Sequence, residues 1–305
     1  MTIHDQITIN RSSMKLLITG SNGQLGWELL RQGEERGFSI VPLDLPEFDI
    51  TDQIAVTNVV DRSDPDVVIN AAAYTAVDKA ESDHALTFAV NREGPFYLAI
   101  ACAEKGIPLI HVSTDYVFDG LKNGPYLETD PVSPVGIYGK SKAEGEAEVR
   151  RNLKEHIIVR TAWLYGVHGN NFVKTMLKLG KEREEIKVVA DQYGCPTFAA
   201  DLAGAILDIT SRIKEDSNIP WGTYHYCGGG STTWFGFASR IFEIAKGYES
   251  FKLEKVTPIK TAEYPTPAKR PANSVLDCSL LAKEFNLYPP LWDKSLETML
   301  GCLFR

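Results

Sequence analysis

Long apolar runs are missing from this 305-residue sequence. A helix that spans a bilayer needs about 20 consecutive, predominantly apolar residues, and no stretch approaches that length. Residues 1–13 are polar and lack the apolar segment of a secretory signal, so we predict a flexible leader before a second start at Met14. These absences favour a cytoplasmic protein with no membrane partner.

Cysteine and positive charge are also in short supply. Five cysteines are scattered along the chain without a Cys-x-x-Cys pair, so neither a disulfide framework nor a zinc site is predicted. The 32 Lys and Arg residues are outnumbered by 40 Asp and Glu, for a formal net charge of −8. This acidity disfavours nucleic acid as a partner. A phosphate-bearing small molecule can still bind where helix N-termini or single basic side chains meet it.

Short apolar segments alternate with helical ones from Lys15 to about Tyr165. This alternation predicts an α/β fold with a doubly wound parallel sheet. We also expect a helix N-capped by Thr51, and an extended loop over Thr257–Pro271, which contains four prolines. The predicted strands of the sheet are 15–19, 39–43, 66–70, 108–113 and 157–161, with 222–227 returning to it later.

A glycine-rich loop, Gly20-Ser-Asn-Gly-Gln-Leu-Gly26, joins the first predicted strand to a helix. Gly20 suits a tight turn, Gly23 lets the backbone approach a pyrophosphate, and Gly26 lets the helix pack closely on the strand. The N–H groups of the helix N-terminus then face the anion. Three glycines also fit a ligand-free turn, but their place between strand and helix is the one that a dinucleotide requires.

The residues at the ends of the next two strands are candidates to bind the rest of a dinucleotide. Asp44 ends the second strand, about 18 residues after Gly26, near the spacing expected for an acid that reads the ribose. A carboxylate there accepts from the ribose 2′-OH and repels a 2′-phosphate, which slightly favours NADH over NADPH. Asp49 is an alternative reader, and Asp44 can equally be a solvated turn acid. Residues 71–73, all alanine, leave room for a flat cofactor or pack as a turn.

Tyr138 and Lys142 form a Tyr-x-x-x-Lys pair in a predicted helix over 138–154. Positions i and i+4 share a helix face, and an ammonium beside a phenol lowers its pKa. The pair is therefore a candidate proton donor to a carbonyl, although exposed helices carry the same spacing by chance. It gains weight from Ser113 and Thr114, which end a strand where open α/β sheets bind ligands. We prefer Thr114 as the second group on the substrate oxygen.

In this order and spacing, these motifs resemble those of the extended short-chain dehydrogenase/reductase family. Within the family, the chain is similar to the branch that reduces a nucleotide-linked keto-sugar, and the resemblance covers nearly everything from Met14 onward. The more specific segments are Asn70–Glu81, Ser113–Gly120, Gly169–Phe172, Asp191–Thr197 and Tyr264–Ser274.

The resemblance implies a reductase that transfers a hydride from NADH or NADPH to the C4 ketone of dTDP-4-dehydro-L-rhamnose. The product, dTDP-L-rhamnose, is a precursor of cell-surface polysaccharide. We expect a Rossmann-type domain over 14–166 and 199–227. A smaller interleaved substrate domain is expected over 167–198 and 228–305. A homodimer is an open expectation. Some relatives use magnesium at a dimer contact, but no carboxylate cluster here demands a metal.

The family's site residues carry over to matching positions. Tyr138 would donate the proton, Lys142 would tune it and hold the nicotinamide ribose, and Thr114 would polarise the keto oxygen. Arg270 is a candidate for the diphosphate, or a surface arginine, and Asn171 meets the nucleotide or caps the next helix. The cofactor would be lined by Gly20, Gly23, Gln24, Leu25, Gly26, Asp44, Asp49, Ile50, Ala71, Ala72 and Ala73, and the sugar by Thr114, Asp115 and Trp163.

Two rival functions remain open from the sequence. Sugar dehydratases and epimerases share the scaffold, but dehydratases of this family carry Asp-Glu after the Thr, whereas here Tyr116 follows Asp115. The missing second acid favours ketone reduction. The chain also resembles the regulatory β subunit of methionine adenosyltransferase, a non-catalytic binding module with this fold. Intact Tyr138 and Lys142 favour an enzyme over such a module.

Overall fold

A computed structural model describes residues 13–305, so the predicted leader lies outside the described residues except for the exposed Ser13. Strands and helices alternate through the first half as β1 (Lys15–Thr19), α1 (Gln24–Glu35), β2 (Ser39–Leu43), α2 (Gln53–Ser63), β3 (Val67–Asn70), α3 (Val77–Ala80), α4 (His84–Phe88), α5 (Gly94–Lys105), β4 (Leu109–Thr114), α6 (Ile137–Asn152) and β5 (His156–Thr161). Within this described range, no helix is both long and apolar enough to cross a bilayer.

The second half contains shorter strands between longer helices. Its elements are β6 (Leu164–Tyr165), α7 (Phe172–Glu182), β7 (Glu185–Val189), β8 (Tyr193–Gly194), β9 (Thr197–Phe198), α8 (Ala199–Glu215), β10 (Gly222–His225), β11 (Thr232–Thr233), α9 (Trp234–Ala245), β12 (Lys255–Ile259), α10 (Ser279–Phe285) and α11 (Trp292–Leu303). The sequence interpretation did not identify α11.

A six-stranded parallel sheet in the order β10-β5-β4-β3-β1-β2 forms the centre of the molecule. Both of its faces are covered: in β1, Leu16 and Ile18 belong to one hydrophobic core and Leu17 to another. Helices α1 and α8 pack on the first face, and α2, α5 and α6 on the second. The predicted doubly wound fold is confirmed, including the late return of β10 to the sheet.

A separate core lies among α7, α9, α11 and β7 in the second half. Helix α10, although late in the chain, packs through Leu281 and Phe285 into the core of the central sheet. The two halves therefore interleave in contact as well as in sequence, and the boundaries given above for two domains stay a prediction.

Two local predictions are wrong. Asp52, not Thr51, caps α2, because its carboxylate accepts from Ile54 N at 2.9 Å, while the Thr51 hydroxyl donates to Asp49. The stretch expected to be loop from Thr257 begins inside β12, which pairs in parallel with β7. Pro258 is tolerated there because each strand of a two-stranded sheet has one unpaired edge. On that edge, the N–H group that proline lacks would have no strand partner, so no hydrogen bond of the sheet is lost.

A buried ion pair fastens α6 to the sheet. The Arg160 guanidinium of β5 donates to both carboxylate oxygens of Glu146, from Nε at 2.8 Å and Nη2 at 2.7 Å. Their side chains are 2% and 0% exposed, respectively. Burial raises the pKa of Glu146, but the hydrogen bonds and charge of Arg160 outweigh it, so the pKa lies below its usual value. Glu146 is therefore charged, and its loss would leave the buried Arg160 guanidinium without its bidentate partner.

Glu146→Ala is expected to lower the free energy of unfolding by about 3–5 kcal/mol, because Arg160 would remain as an uncompensated buried charge. Glu148→Ala on the same helix is the matched control. Its partner Arg151 is 67% exposed, so we expect a loss below about 1 kcal/mol. Urea unfolding of both variants measures the difference, and equal losses would contradict this account of the pair.

Candidate active site

The glycine loop leaves the start of α1 open to an anion. Gly20 has φ +71°, and a Cβ there would lie 2.5 Å from Ala72 N, at the end of β3. A Cβ on Gly26 would lie 2.0 Å from the Gly20 carbonyl oxygen. No side chain caps α1 at Gly23. The first backbone N–H groups of the helix are therefore free to donate hydrogen bonds to a pyrophosphate. The loop therefore fits a dinucleotide. Its glycines allow close backbone contacts that a side chain would block, and the loop ends at a helix N-terminus.

Asp44 lies at the mouth of this loop. Its Oδ2 accepts from Asn22 N at 2.7 Å and its Oδ1 from Leu45 N at 2.8 Å. Asp49 is exposed and accepts instead from the backbone and hydroxyl of Thr51, at 2.9 and 2.8 Å. The geometry therefore favours Asp44 over Asp49 as the acid beside the loop. Ile50 is buried against α5, where a Cβ on Gly94 would meet it.

Asn70 ties three strand ends together, a role that sequence reasoning missed. Its Oδ1 accepts from the Thr19 hydroxyl of β1 at 2.8 Å and from Ala72 N at 3.1 Å, and its Nδ2 contacts His111 Nδ1 of β4 at 3.0 Å. The signal was present: a polar residue ends the fully buried run of β3. This network fixes the half-buried alanines 71–73 next to Gly20.

The structure brings Thr114, Tyr138 and Lys142 together at the carboxyl end of β4. The side chains of Thr114 and Tyr138 are near enough to interact, and this contact shifts the pKa of Tyr138. One helical turn along α6, the buried Lys142 ammonium donates to the Val112 carbonyl at 2.7 Å. The ring of Tyr116 packs edge-on against Tyr138 with 5.7 Å between centroids. The predicted trio is thus one cluster, and not a pair of side chains on an exposed helix.

The electrostatics of this cluster correct one prediction. Burial raises the pKa of Tyr138 to about 12, the contact with Thr114 works against it, and the negative charge of Asp115 adds to it. The expected lowering by Lys142 is therefore wrong in this structure. Burial also lowers the pKa of Lys142 to about 8, opposed by the charge of Glu146. Near neutral pH, Tyr138 keeps its proton and Lys142 is largely charged.

Asp115 is buried directly beside this cluster. Its Oδ1 accepts from the Thr114 hydroxyl at 2.9 Å, whereas Oδ2 has no hydrogen-bond partner within residues 13–305. Burial raises the pKa of Asp115 to about 6, and the hydrogen bond from Thr114 works against this rise. An unpaired buried carboxylate oxygen can accept from a hydroxyl-rich ligand.

Trp163, two residues after the end of β5, has a constrained conformation. Its φ is +45°, in the left-handed region that a bulky residue rarely occupies. Its ring stacks on Trp234 at 3.5 Å between centroids, and a Cβ on Gly194 would lie 2.3 Å from it. Strained residues that the surroundings hold in place are frequent at ligand sites. The half-buried ring is therefore a fixed apolar wall available to a ligand.

Asn171 and Arg270 make contacts that the sequence left open. Asn171 caps α7, with Oδ1 accepting from Lys174 N at 3.1 Å, and its Nδ2 donates to Gln24 Oε1 at 3.0 Å. It lies against the glycine loop, and capping is confirmed. Arg270 is no isolated surface arginine: its guanidinium is bidentate on Asp78, at 3.0 and 2.8 Å. Across residues 13–305, no group of His, Cys, Asp and Glu could hold a metal ion.

Comparison with known proteins agrees with the family resemblance of the sequence motifs. The family described as RmlD substrate binding domain matches residues 14–303. A dTDP-4-dehydrorhamnose reductase of Aggregatibacter actinomycetemcomitans is 44% identical over 93% of this chain and 98% of its own length. A crystal structure of a dTDP-4-dehydrorhamnose reductase from Clostridium acetobutylicum matches with TM-score 0.89 and 43% identity, over 95% and 99% of the two chains. The Bacillus anthracis dTDP-4-dehydrorhamnose reductase in complex with NADP matches with TM-score 0.88 and 41% identity, over 95% and 99%.

The raised pKa of Asp115, about 6 in the folded chain, predicts a pH-dependent stability. An unfolded aspartate has a pKa of about 3.9, so the stability present below pH about 4 is lost as the pH rises to about 6. Asp115→Asn keeps an acceptor for Thr114 but does not titrate. Wild type should therefore lose up to about 3 kcal/mol of unfolding free energy relative to the variant between pH 4 and 7. Urea unfolding across that range checks this, and a constant difference would contradict it.

Proposed function

The chain belongs to the dTDP-4-dehydrorhamnose reductase family, and we propose that it reduces the C4 ketone of dTDP-4-dehydro-L-rhamnose to give dTDP-L-rhamnose. The observation that carries the proposal is the cluster of Thr114, Tyr138 and Lys142 at the end of β4. The glycine loop follows β1, on the same edge of the parallel sheet. The strand order reverses between β1 and β3, and ligands of open α/β sheets bind outside the carboxyl ends of the strands at such a point.

A reduced nicotinamide dinucleotide supplies the hydride when it is bound. The glycine loop and the N-terminus of α1 would hold its pyrophosphate, and residues 71–73 would lie along it. Asp44, at the loop mouth, would read the ribose and give NADH a slight advantage over NADPH. Lys142 would hold the nicotinamide ribose, because within the described chain its ammonium donates one hydrogen bond, to the Val112 carbonyl, and an ammonium has three N–H groups.

Tyr138 delivers the proton. Its raised pKa of about 12 keeps the hydroxyl protonated at neutral pH, and a sugar alkoxide that forms as the ketone is reduced is basic enough to take this proton. The Thr114 hydroxyl, which donates to Asp115 in this structure, would turn to donate a second hydrogen bond to the same oxygen. Lys142 takes part through the nicotinamide ribose that it would hold, since it does not lower the pKa of Tyr138 in this structure. Acid catalysis by such a group contributes roughly a hundredfold to ten-thousandfold in rate.

The remaining site residues orient the nucleotide sugar. Asp115 Oδ2 accepts from a sugar hydroxyl, and the rigid Trp163 ring packs against the pyranose. Arg270 contributes positive charge beside the diphosphate. Because the chain has a net charge of −8, this positive charge must be supplied locally. The assembled trio argues against a purely regulatory module. Tyr116, where dehydratases carry an acid, argues against water elimination.

The cytoplasm is the compartment that we propose for this reaction. Its support is indirect: all five cysteines are free thiols in the structure, as expected where the environment is reducing. A homodimer stays a prediction.

Tyr138→Phe is expected to lower kcat/KM for dTDP-4-dehydro-L-rhamnose by roughly a hundredfold to ten-thousandfold, because the proton donor is removed. Binding of the dinucleotide, followed by fluorescence, should stay unchanged. Tyr248→Phe, at an exposed tyrosine far along the chain, is the matched control and should behave as wild type. A Tyr138→Phe enzyme that works at the parent's rate would refute the assignment.

Asp44→Ala is expected to raise the ratio of kcat/KM with NADPH to that with NADH by about tenfold, which corresponds to about 1.4 kcal/mol of removed repulsion. Initial rates with the two cofactors measure it. Asp49→Ala is the control. A shift with Asp49→Ala and none with Asp44→Ala would transfer the role to Asp49.

A further inference from the structure

Two carboxylates in and just after α3 connect parts of the site that are far apart in the chain. Asp78 lies in α3 and Glu81 follows it one helical turn later. Asp78 accepts from both terminal nitrogens of Arg270 and from Ala268 N at 3.2 Å. It therefore holds the loop on which we place the diphosphate contact.

Glu81 holds the first turn of the helix that carries Tyr138. Its Oε1 accepts from Ile137 N at 2.8 Å, one residue before Tyr138. Gly136, the N-cap of α6, provides no side chain, and a Cβ there would lie 2.8 Å from the same oxygen. A carboxylate at this place satisfies a free N–H group and opposes the positive end of the helix dipole. Glu81 thus replaces the local cap that α6 lacks.

Asp78 also decides which edge of Arg270 stays open. It takes the edge formed by Nη1 and Nη2, and Thr266 Oγ1 and the Ala268 carbonyl take further bonds from Nη1. Nε and the second hydrogen of Nη2 have no partner in the described part of the chain. These two donors form the other edge of a planar guanidinium, which matches two phosphate oxygens.

We propose that Asp78 and Glu81 are positioning residues of the reductase, Asp78 by aiming the open edge of Arg270 at the substrate diphosphate and Glu81 by fixing Tyr138 over the ketone. This rests on the proposed function for the identity of the substrate. Because both residues belong to one short turn, the nucleotide site and the proton donor share a single support. Neither carboxylate touches the reacting atoms.

The role proposed for Asp78 is tested by whether its removal weakens or strengthens the binding of a phosphate compound. Deleting an acid near an anion site removes repulsion, so a bystander role predicts tighter binding of a phosphate compound by Asp78→Ala. Positioning predicts the opposite: the Kd for dTDP, measured by titration calorimetry, should rise by about tenfold, with an intermediate value for Asp78→Asn. Ser82→Ala, a neutral change at an exposed residue beside the two carboxylates, is the control and should bind as wild type. Unchanged or tighter dTDP binding by Asp78→Ala would overturn this role.

The role proposed for Glu81 is tested by comparing its effect on kcat with its effect on KM and on the binding of dTDP. Glu81→Ala should lower kcat by about tenfold or more, because small misplacements of a reacting group are costly, while the Kd for dTDP stays unchanged. Glu81→Gln retains an oxygen for Ile137 N–H and should recover most of the rate. Equal kcat in wild type and Glu81→Ala would overturn it, as would a loss in Glu81→Gln as large as in Glu81→Ala.

Failure of the proposed function is distinguishable from failure of this inference. Wild-type protein that binds dTDP but does not turn over dTDP-4-dehydro-L-rhamnose refutes the function alone. Hydrogen exchange then tests the support directly: residues 137–142 should exchange faster in Glu81→Ala than in Ser82→Ala, and residues 264–272 faster in Asp78→Ala. Equal exchange in these segments would overturn the positioning roles whatever the substrate is.

Discussion

The contact between α6 and the carboxyl end of β4 is the constraint on which the rest of the site depends. Tyr138 meets Thr114 and Lys142 donates to the Val112 carbonyl, so one helix face and one strand end hold the groups to which we assign the proton transfer. The buried pair of Glu146 and Arg160 fastens the helix to the next strand. Each of these contacts therefore helps to fix the position of Tyr138 relative to Thr114.

Burying so many charged groups costs free energy that the fold recovers through pairing. Lys142, Glu146, Arg160 and Asp115 all lie in the interior, and an ion removed from water is tolerated only with good hydrogen bonds and counter-charges. Glu146 and Arg160 satisfy each other. Asp115 is the exception, since one oxygen stays unpaired in the described chain and its pKa rises. Deviations of this kind are expected where a ligand completes the site.

The sequence predicted what depends on local pattern. The strands β1 and β2 have the predicted bounds because short apolar runs bounded by turns leave little choice, and the glycine loop follows from backbone geometry. What it could not predict depends on tertiary contact. Asp78 and Arg270 are 192 residues apart, so their pairing is invisible in either segment. The predicted lowering of the Tyr138 pKa was wrong because burial, which no spacing reveals, raises this pKa. Thr51 was predicted as the cap of α2, whereas the cap is Asp52, and such a difference of one residue is decided by backbone dihedrals.

The central claim is that Tyr138 and Thr114 together bind the oxygen at C4 of the sugar. A crystal structure with the oxidised dinucleotide and dTDP-L-rhamnose bound tests it most directly. The account predicts that the Tyr138 hydroxyl and Thr114 Oγ1 both lie within about 3 Å of that oxygen. A product bound with its C4 oxygen remote from Tyr138, and nearer to another proton donor, would contradict it.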